Sequence, residues 1–213
     1  AAMPDVRGRR HQPMQQAERA IDWASEPTVR VLAKINAADG FPGVRDELFG
    51  HPCQLFDAWA ESVLRGRPGE LIARRENALC RATVDGAVWI GHVRRPDIAH
   101  PFKLPATQAF AEHAAALPEV ALPDGWRVEH ATWQDIAYEE GAGVGVLSFD
   151  FYNGAMNTRQ CQRLRAAYRF ATQRPTRVIV LAGGRDFWSN GIHLNCIEAA
   201  DSVADESWAN INA

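Results

Sequence analysis

The sequence predicts an α+β front part built round a small antiparallel β-barrel, followed by an α/β part that starts strand, helix, strand. Three observations carry this reading. Leu79 to Thr83 and Ala87 to Val93 are strand-prone runs flanking Asp85-Gly86, a strong hairpin signal. Val144 to Phe149 and Arg177 to Ala182 are continuous apolar runs joined by a helical pattern, as in a parallel pair with a right-handed crossover. Pro118, Pro123 and Gly125 punctuate the chain between these regions and mark a linker.

The elements follow in order. Residues 1–16 are polar and basic and read as a loose connection. Ala20, Ile21 and Ala24, then Val31, Leu32 and Ile35, keep helical spacing until Gly40, Pro42 and Gly43 break it. Gln54 to Phe56 and Glu70 to Ala73 supply further strands for the barrel. Ala106 to Ala116 is alanine-rich and helix-prone. Thr132 to Glu139 is mixed. A helix begins near Thr158, with Cys161, Leu164, Tyr168 and Ala171 on one apolar face. Asn157 is its N-cap and Gln160, three residues on, completes a capping box. The boundaries are 1–40 for a preceding domain's end and connection, 41–106 for the barrel, 107–140 for the linker and 141–213 for the α/β part.

Composition narrows the function classes. Hydrophobic residues make up 46% of the chain, enough to bury a core. The net charge of −3 counts against nucleic acid as a partner. Arg7 to Arg10, Arg74-Arg75 and Arg94-Arg95 read as solvated surface. No apolar run reaches the ~18 residues that span a bilayer, and no signal peptide is visible at the N-terminus. Cys53, Cys80, Cys161 and Cys196 lack paired spacing and read as reduced thiols of a cytoplasmic protein. His51, His92 and His100, near Cys53 and Cys80, lack metal-ligand spacing, so no metal is expected. Trp23, Trp59, Trp89 and Trp126 are candidates for core or domain interface, and packing is also the reading for Trp188 and Trp208, with the wall of an apolar substrate tunnel as the alternative.

Chemistry concentrates in the segment Phe187 to Leu194. Its short side chains at Ser189-Asn190-Gly191 let backbone approach a ligand, and a helix start after a glycine turn can aim N–H groups at a carbonyl oxygen or phosphate. His193 reads as a hydrogen-bonded structural residue, with loop orientation or proton transfer as the alternative. Asp150 and Asp186 read as capping or turn residues.

Two loops carry a resemblance. Asn153 to Asn157 and Phe187 to Leu194 resemble the paired loops of crotonases, the enoyl-CoA hydratase/isomerase family. In the front part, "AERAIDW" (17–23), "INAADGFPGV" (35–44) and "RPGELIARRENALCRATVDGAVWIGHV" (67–93) resemble the formyltransferase family and the small barrel of its C-terminal domain. Both halves in this order, with "FDFYNGAMNT" and "FWSNGIHLN", resemble the HypX (HoxX) family of hydrogenase maturation factors over most of the chain. The resemblance implies a formyltransferase C-terminal-like barrel and an incomplete crotonase-like start. It implies that Ile192 donates its backbone N–H to a thioester oxygen, and that Gly154, Ala155, Met156, Asn190 and Gly191 contact coenzyme A. Ile192-His193 departs from the Ala-Asp common at this place. The residues that act on formyl-tetrahydrofolate in such families precede the I-D-W element, and the crotonase acid/base residues follow Ala213. The chain is therefore expected to be an internal fragment, inactive alone.

The activity so implied is formyl transfer from formyl-tetrahydrofolate to coenzyme A, then release of carbon monoxide from formyl-CoA as a ligand for a NiFe hydrogenase. The partners are small-molecule substrates and hydrogenase maturation proteins, with no nucleic acid and no membrane. Alternatives are an enoyl-CoA hydratase or isomerase with an unrelated front domain, a tRNA formyltransferase, and a non-catalytic CoA-binding scaffold. The 67–93 motif opposes the first of these. The acidic balance opposes the second.

Overall fold

The computed structural model describes residues 12–122, 126, 129–184 and 186–213. Arg7 to Arg10, and Pro123 and Gly125 of the expected linker, lie outside the described residues. Two short helices open the structure, α1 (Gln16–Arg19) and α2 (Thr28–Ala37). Six strands follow: β1 (Val44–Leu48), β2 (His51–Glu61), β3 (Leu71–Arg75), β4 (Ala78–Ala82), β5 (Ala87–Arg94) and β6 (Lys103–Pro105). They form one antiparallel sheet in the order β1-β2-β5-β4-β3. β6 shares the free edge of β5 with β4: β4 pairs residues 87–90 and β6 pairs residues 92–94.

The small antiparallel barrel expected from the sequence is seen as one antiparallel sheet whose described ladders run as an open path. Among the described residues no ladder joins β3 to β1. Side chains span the gap instead: Arg81 of β4 donates to Asp46 Oδ1 of β1 at 2.9 Å, and Asp46 Oδ2 accepts from Trp23 Nε1 at 2.7 Å. The hairpin is present but shifted by one residue. Thr83 N–H donates to Gly86 O at 3.0 Å, so Val84-Asp85 forms the tip. The Asp85 carboxylate is thereby free to accept the Thr28 N–H at 2.8 Å, at the start of α2.

The front core takes in more chain than 41–106. Val31 and Ile35 of α2 are buried with Leu48, Leu55, Val88, Ile90 and Val93. Helices α3 (Ala106–Ala109) and α4 (Ala111–Ala115) add Ala106, Phe110 and Ala114 to the same core. The stretch expected to link the parts therefore begins as packed helix. Arg75, expected at the surface, is buried and donates to Val120 O, Thr132 Oγ1 and Trp133 O at 2.7–2.9 Å. Three hydrogen bonds from one planar guanidinium make it a clamp for the chain returning along the sheet.

The second unit has β7 (Ile136–Gly141), β8 (Val144–Phe149), β9 (Ala155–Met156), α5 (Thr158–Thr172), β10 (Val178–Ala182), β11 (Gly191–Ile192), α6 (Leu194–Glu198) and α7 (Val203–Ile211). β8 pairs antiparallel with β7 and parallel with β10, as the crossover pattern predicts for the latter pair. Asn157 caps α5, with Gln160 N–H donating to Asn157 Oδ1 at 2.8 Å and the reciprocal bond at 3.1 Å. The buried face of α5 is Gln160, Arg163, Ala167 and Ala171, which shares only Ala171 with the predicted apolar row; Leu164 is half-buried at its margin. Arg163 forms a two-pronged pair with buried Asp135 at 2.8 and 2.9 Å, which turns that face inward. Tyr168 is exposed, and Cys161 and Leu164 line an apolar groove with Leu181 and Trp188. Val144, Val146, Val178 and Val180 are also exposed, so the strands are not covered on both faces by described residues. No described helix is long and apolar enough to cross a membrane.

Candidate functional site

The loops singled out in the sequence meet. β9 and β11 pair in parallel, Gly191 opposite Ala155 and Ile192 opposite Met156. Asn190 N–H donates to Gly154 O at 2.7 Å, and His193 N–H donates to Met156 O at 2.9 Å. Alternate residues of a strand direct their N–H groups to opposite sides. Counted from His193, whose N–H is on β9, this period puts the Ile192 N–H on the opposite side of β11; Gly191, at φ +84°, breaks the period before Asn190, whose N–H also reaches the β9 side. Ala155, Asn190 and Ile192 line a cavity of about 290 Å³. Gly154 and Gly191 supply backbone to the loop contact, and Met156 faces the apolar groove. Trp188 and Trp208, expected to pack, are exposed. Trp188 lines the groove and not this cavity.

The cavity has a second wall that the sequence did not reveal. His92 of β5 and Lys103 of β6, from the front sheet, line it together with Tyr152, His193 and Asn195 from the second unit. Lys103 Nζ donates to Tyr152 Oη at 2.9 Å, and Tyr152 Oη donates to the Asp39 carbonyl at 3.0 Å. Asn195 Nδ2 donates to Lys103 O at 3.0 Å. Burial lowers the Lys103 pKa and, with Asp39 second, raises that of the Tyr152 phenol. Both effects follow from the cost of carrying charge away from water.

His193 caps α6 by accepting the Cys196 N–H on Nδ1 at 3.3 Å. Its Nε2 lies 3.4 Å from His92 Nε2, and His92 Nδ1 lies 3.0 Å from Asp57 Oδ2. The two rings are nearly coplanar, at 4°, and His92 also stacks on Tyr152 at 4.5 Å. Burial first, and then His92, depress the His193 pKa to about 4, so the ring is neutral at physiological pH. His51 is engaged elsewhere, by Asp97 and Arg95. Cys53, Cys80 and Cys196 are buried free thiols and Cys161 is half-buried. The pairing of His92 with His193, 101 residues apart, had no local signal.

Asp150 and Asp186 line a separate polar cavity of about 420 Å³ with Asp39, Asp57 and Trp59. Gly184 passes so close to Asp150 that a Cβ would lie 1.9 Å from its Oδ1, which accounts for glycine after β10 without a ligand.

Comparison with known proteins fits this two-part architecture. Residues 13–100 match the formyl transferase C-terminal domain family. The match includes α2, which the sequence places at the end of a preceding domain. The hydrogenase maturation factor HoxX of Bradyrhizobium diazoefficiens is 53% identical over 209 residues, which is 98% of this chain and 35% of that protein. The crystal structure of HypX from Aquifex aeolicus in complex with tetrahydrofolic acid superposes with a TM-score of 0.89 at 44% identity. That match covers 94% of this chain and 35% of HypX. A variant of the same HypX gives 0.89 and 44% over 93% of this chain. The chain thus spans about a third of the length of these relatives. It belongs to the HypX/HoxX family of hydrogenase maturation factors.

Proposed function

We propose that this chain supplies the thioester-binding loops of a two-part enzyme that makes the carbon monoxide ligand of a NiFe hydrogenase. The formyl group passes from formyl-tetrahydrofolate to coenzyme A, and formyl-CoA then releases carbon monoxide. The observation that carries the reading is the β9–β11 contact, which brings Ala155, Asn190 and Ile192 to one cavity. At about 290 Å³ the cavity lies at the low end of ligand sites, roughly 300–1,000 Å³. That size suits a formyl group and its thioester better than a long acyl chain.

The donor set fits a thioester. The Ile192 N–H is available for a carbonyl oxygen that gains charge as the C–H or C–S bond weakens. Lys103 adds a half-buried cation on the opposite wall. Gly154 O and Met156 O hold the loop that carries Ile192, so the donor is fixed before substrate arrives. Folate binding rests on the relative's tetrahydrofolic acid complex and concerns a part of the protein outside this chain. The partners are the hydrogenase maturation proteins that receive the ligand, and the compartment is the cytoplasm.

The test is Ile192→Pro in a full-length HypX-type polypeptide carrying this segment. Proline removes the N–H that faces away from β9, so no ladder bond is lost with it. Carbon monoxide release from formyl-CoA is expected to fall roughly 10²–10³-fold, the scale of one oxyanion donor. Formyl transfer to coenzyme A should persist. Unchanged release from a folded variant would place the donor elsewhere.

A further inference from the structure

The row Asp57–His92–His193 has a fixed proton order. The Cys196 N–H is a backbone donor, so His193 Nδ1 can only accept. Neutral His193 therefore carries its proton on Nε2, which is directed at His92 Nε2. His92 Nε2 must then be bare, and its proton sits on Nδ1 against Asp57 Oδ2. Asp57 is itself held: its Oδ1 accepts the Trp59 Nε1–H at 2.7 Å, and its N–H donates to Asp39 Oδ1 at 2.6 Å. A carboxylate on Nδ1 and a bare Nε2 at a cavity wall are the parts of a general base.

We propose that His92, contributed by the front sheet, is the proton acceptor of the thioester cavity, with Asp57 as the residue that sets its tautomer. This rests on the formyl-CoA reading above and makes the site a composite of both units. The contact His92 makes with His193, at 3.4 Å, is at the long limit for a hydrogen bond. Exchanging that partner for a substrate proton gives up a long bond and frees the His193 Nε2–H towards the cavity, a cost that falls away only where a substrate oxygen accepts it. Around His92 stand Asp57, His193, Tyr152 on its face and Lys103 across the cavity. The one fixed anion among them is on Nδ1, where it stabilises the imidazolium.

The step balances within this cavity. His92 Nε2 takes the formyl C–H proton. The C–S bond breaks, releasing carbon monoxide and leaving the electron pair on sulfur. His92 Nε2–H then protonates the thiolate. Formyl-CoA becomes carbon monoxide and coenzyme A thiol, with no external oxidant or reductant. Ile192 N–H meanwhile meets the carbonyl oxygen.

The experiment is carbon monoxide release from formyl-CoA across pH by the full-length polypeptide and its His92→Ala and Asp57→Asn variants. Coenzyme A affinity and the unfolding midpoint are measured in parallel. His92→Ala should lower release by about 10²–10⁴-fold, and added imidazole should restore part of it. Asp57→Asn should lower release on the same scale and shift the acid limb of the pH profile, while coenzyme A affinity stays within about threefold. Asparagine tolerates the left-handed backbone at this position, φ +57°, so that variant decides the matter if His92→Ala fails to fold. Release within about threefold of the unchanged protein in a folded variant, or a loss that leaves the pH profile unmoved and resists imidazole, overturns the proposal. If the unchanged protein releases no carbon monoxide from formyl-CoA, the formyl-CoA reading falls and takes this one with it. Normal release by the unchanged protein and by both variants would sink His92 alone.

Discussion

Gly154 and Gly191 lie on opposite sides of the β9–β11 contact, and both have positive φ, +67° and +84°. Alanine at either position costs about 1–2 kcal/mol of left-handed strain. Their surroundings then separate them. A Cβ on Gly191 meets nothing within 4 Å, whereas a Cβ on Gly154 lies 2.6 Å from Phe187 Cβ and 3.0 Å from Asn190 N. Asn190 N is the donor to Gly154 O, so relieving the clash breaks the 2.7 Å bond that joins the loops. Crowding and the lost bond together make Gly154→Ala about 2–4 kcal/mol worse than Gly191→Ala. Asn190 is exposed, so the loop can relieve strain by detaching before the fold opens. In that case the loss appears as coenzyme A binding roughly 30- to 1,000-fold weaker. Urea unfolding and calorimetric titration with coenzyme A, run on both variants, read the two routes. Equal losses for the two alanines in both measurements would refute the geometry assigned to this contact.

Three further predictions concern the frame of the site. His193 has a folded pKa of about 4 against 6.5 unfolded, so the unfolded chain binds the extra proton first as pH falls. Its contribution is complete above about pH 6.5 and is lost towards pH 4, about 3 kcal/mol in all. His193→Asn keeps an α6 cap and should remove that part of the urea-midpoint decline, whereas an identical decline would contradict the assignment. Asp135→Ala leaves the Arg163 guanidinium buried, with only Glu76 at 3.5 Å, and should cost about 3 kcal/mol in denaturant unfolding. A loss under about 1 kcal/mol would show that this pair does not orient α5. Asn157→Ala removes the α5 capping box and should cost about 0.5–2 kcal/mol by the same measurement.

Local signals in the sequence were strong where chemistry is local. The Asn157–Gln160 box, the β4–β5 hairpin and the parallel pair β8–β10 each rest on residues close in sequence or on a run of apolar ones. The hairpin tip lies one residue earlier than expected, at Val84-Asp85, and Asp85 there holds the start of α2, a contact 57 residues away. The apolar row on α5 misled because an ion pair, Arg163 with Asp135, outweighed side-chain hydrophobicity in choosing the buried face. Ala106 to Ala116 read as helix, but its membership of the front core depends on Phe110 and Ala114 meeting the sheet.

The same division holds for the site. Ala155, Asn190 and Ile192, singled out through their loops, come together at one cavity, since glycine turns and strand ends constrain backbone directly. His92 and Lys103 were not read as part of it, because they come from the front sheet and join the cavity only through packing between units, and Asp57 reaches it only through His92. His193 carried a weak signal, a histidine where the loop pattern has an acid. Its role as α6 cap and neighbour of His92 required the fold.

The central claim is that a thioester of coenzyme A sits at the Ile192 backbone. An amide ¹⁵N–¹H titration of this chain with a stable short-chain thioester, acetyl-CoA, with coenzyme A thiol as the control, tests it most directly. The account predicts the largest, saturable shifts at Ile192, Asn190 and Ala155, with smaller ones at His193 and Lys103. Shifts confined to the groove of Cys161, Tyr168 and Trp188, or no saturable shift at Ile192, would contradict it.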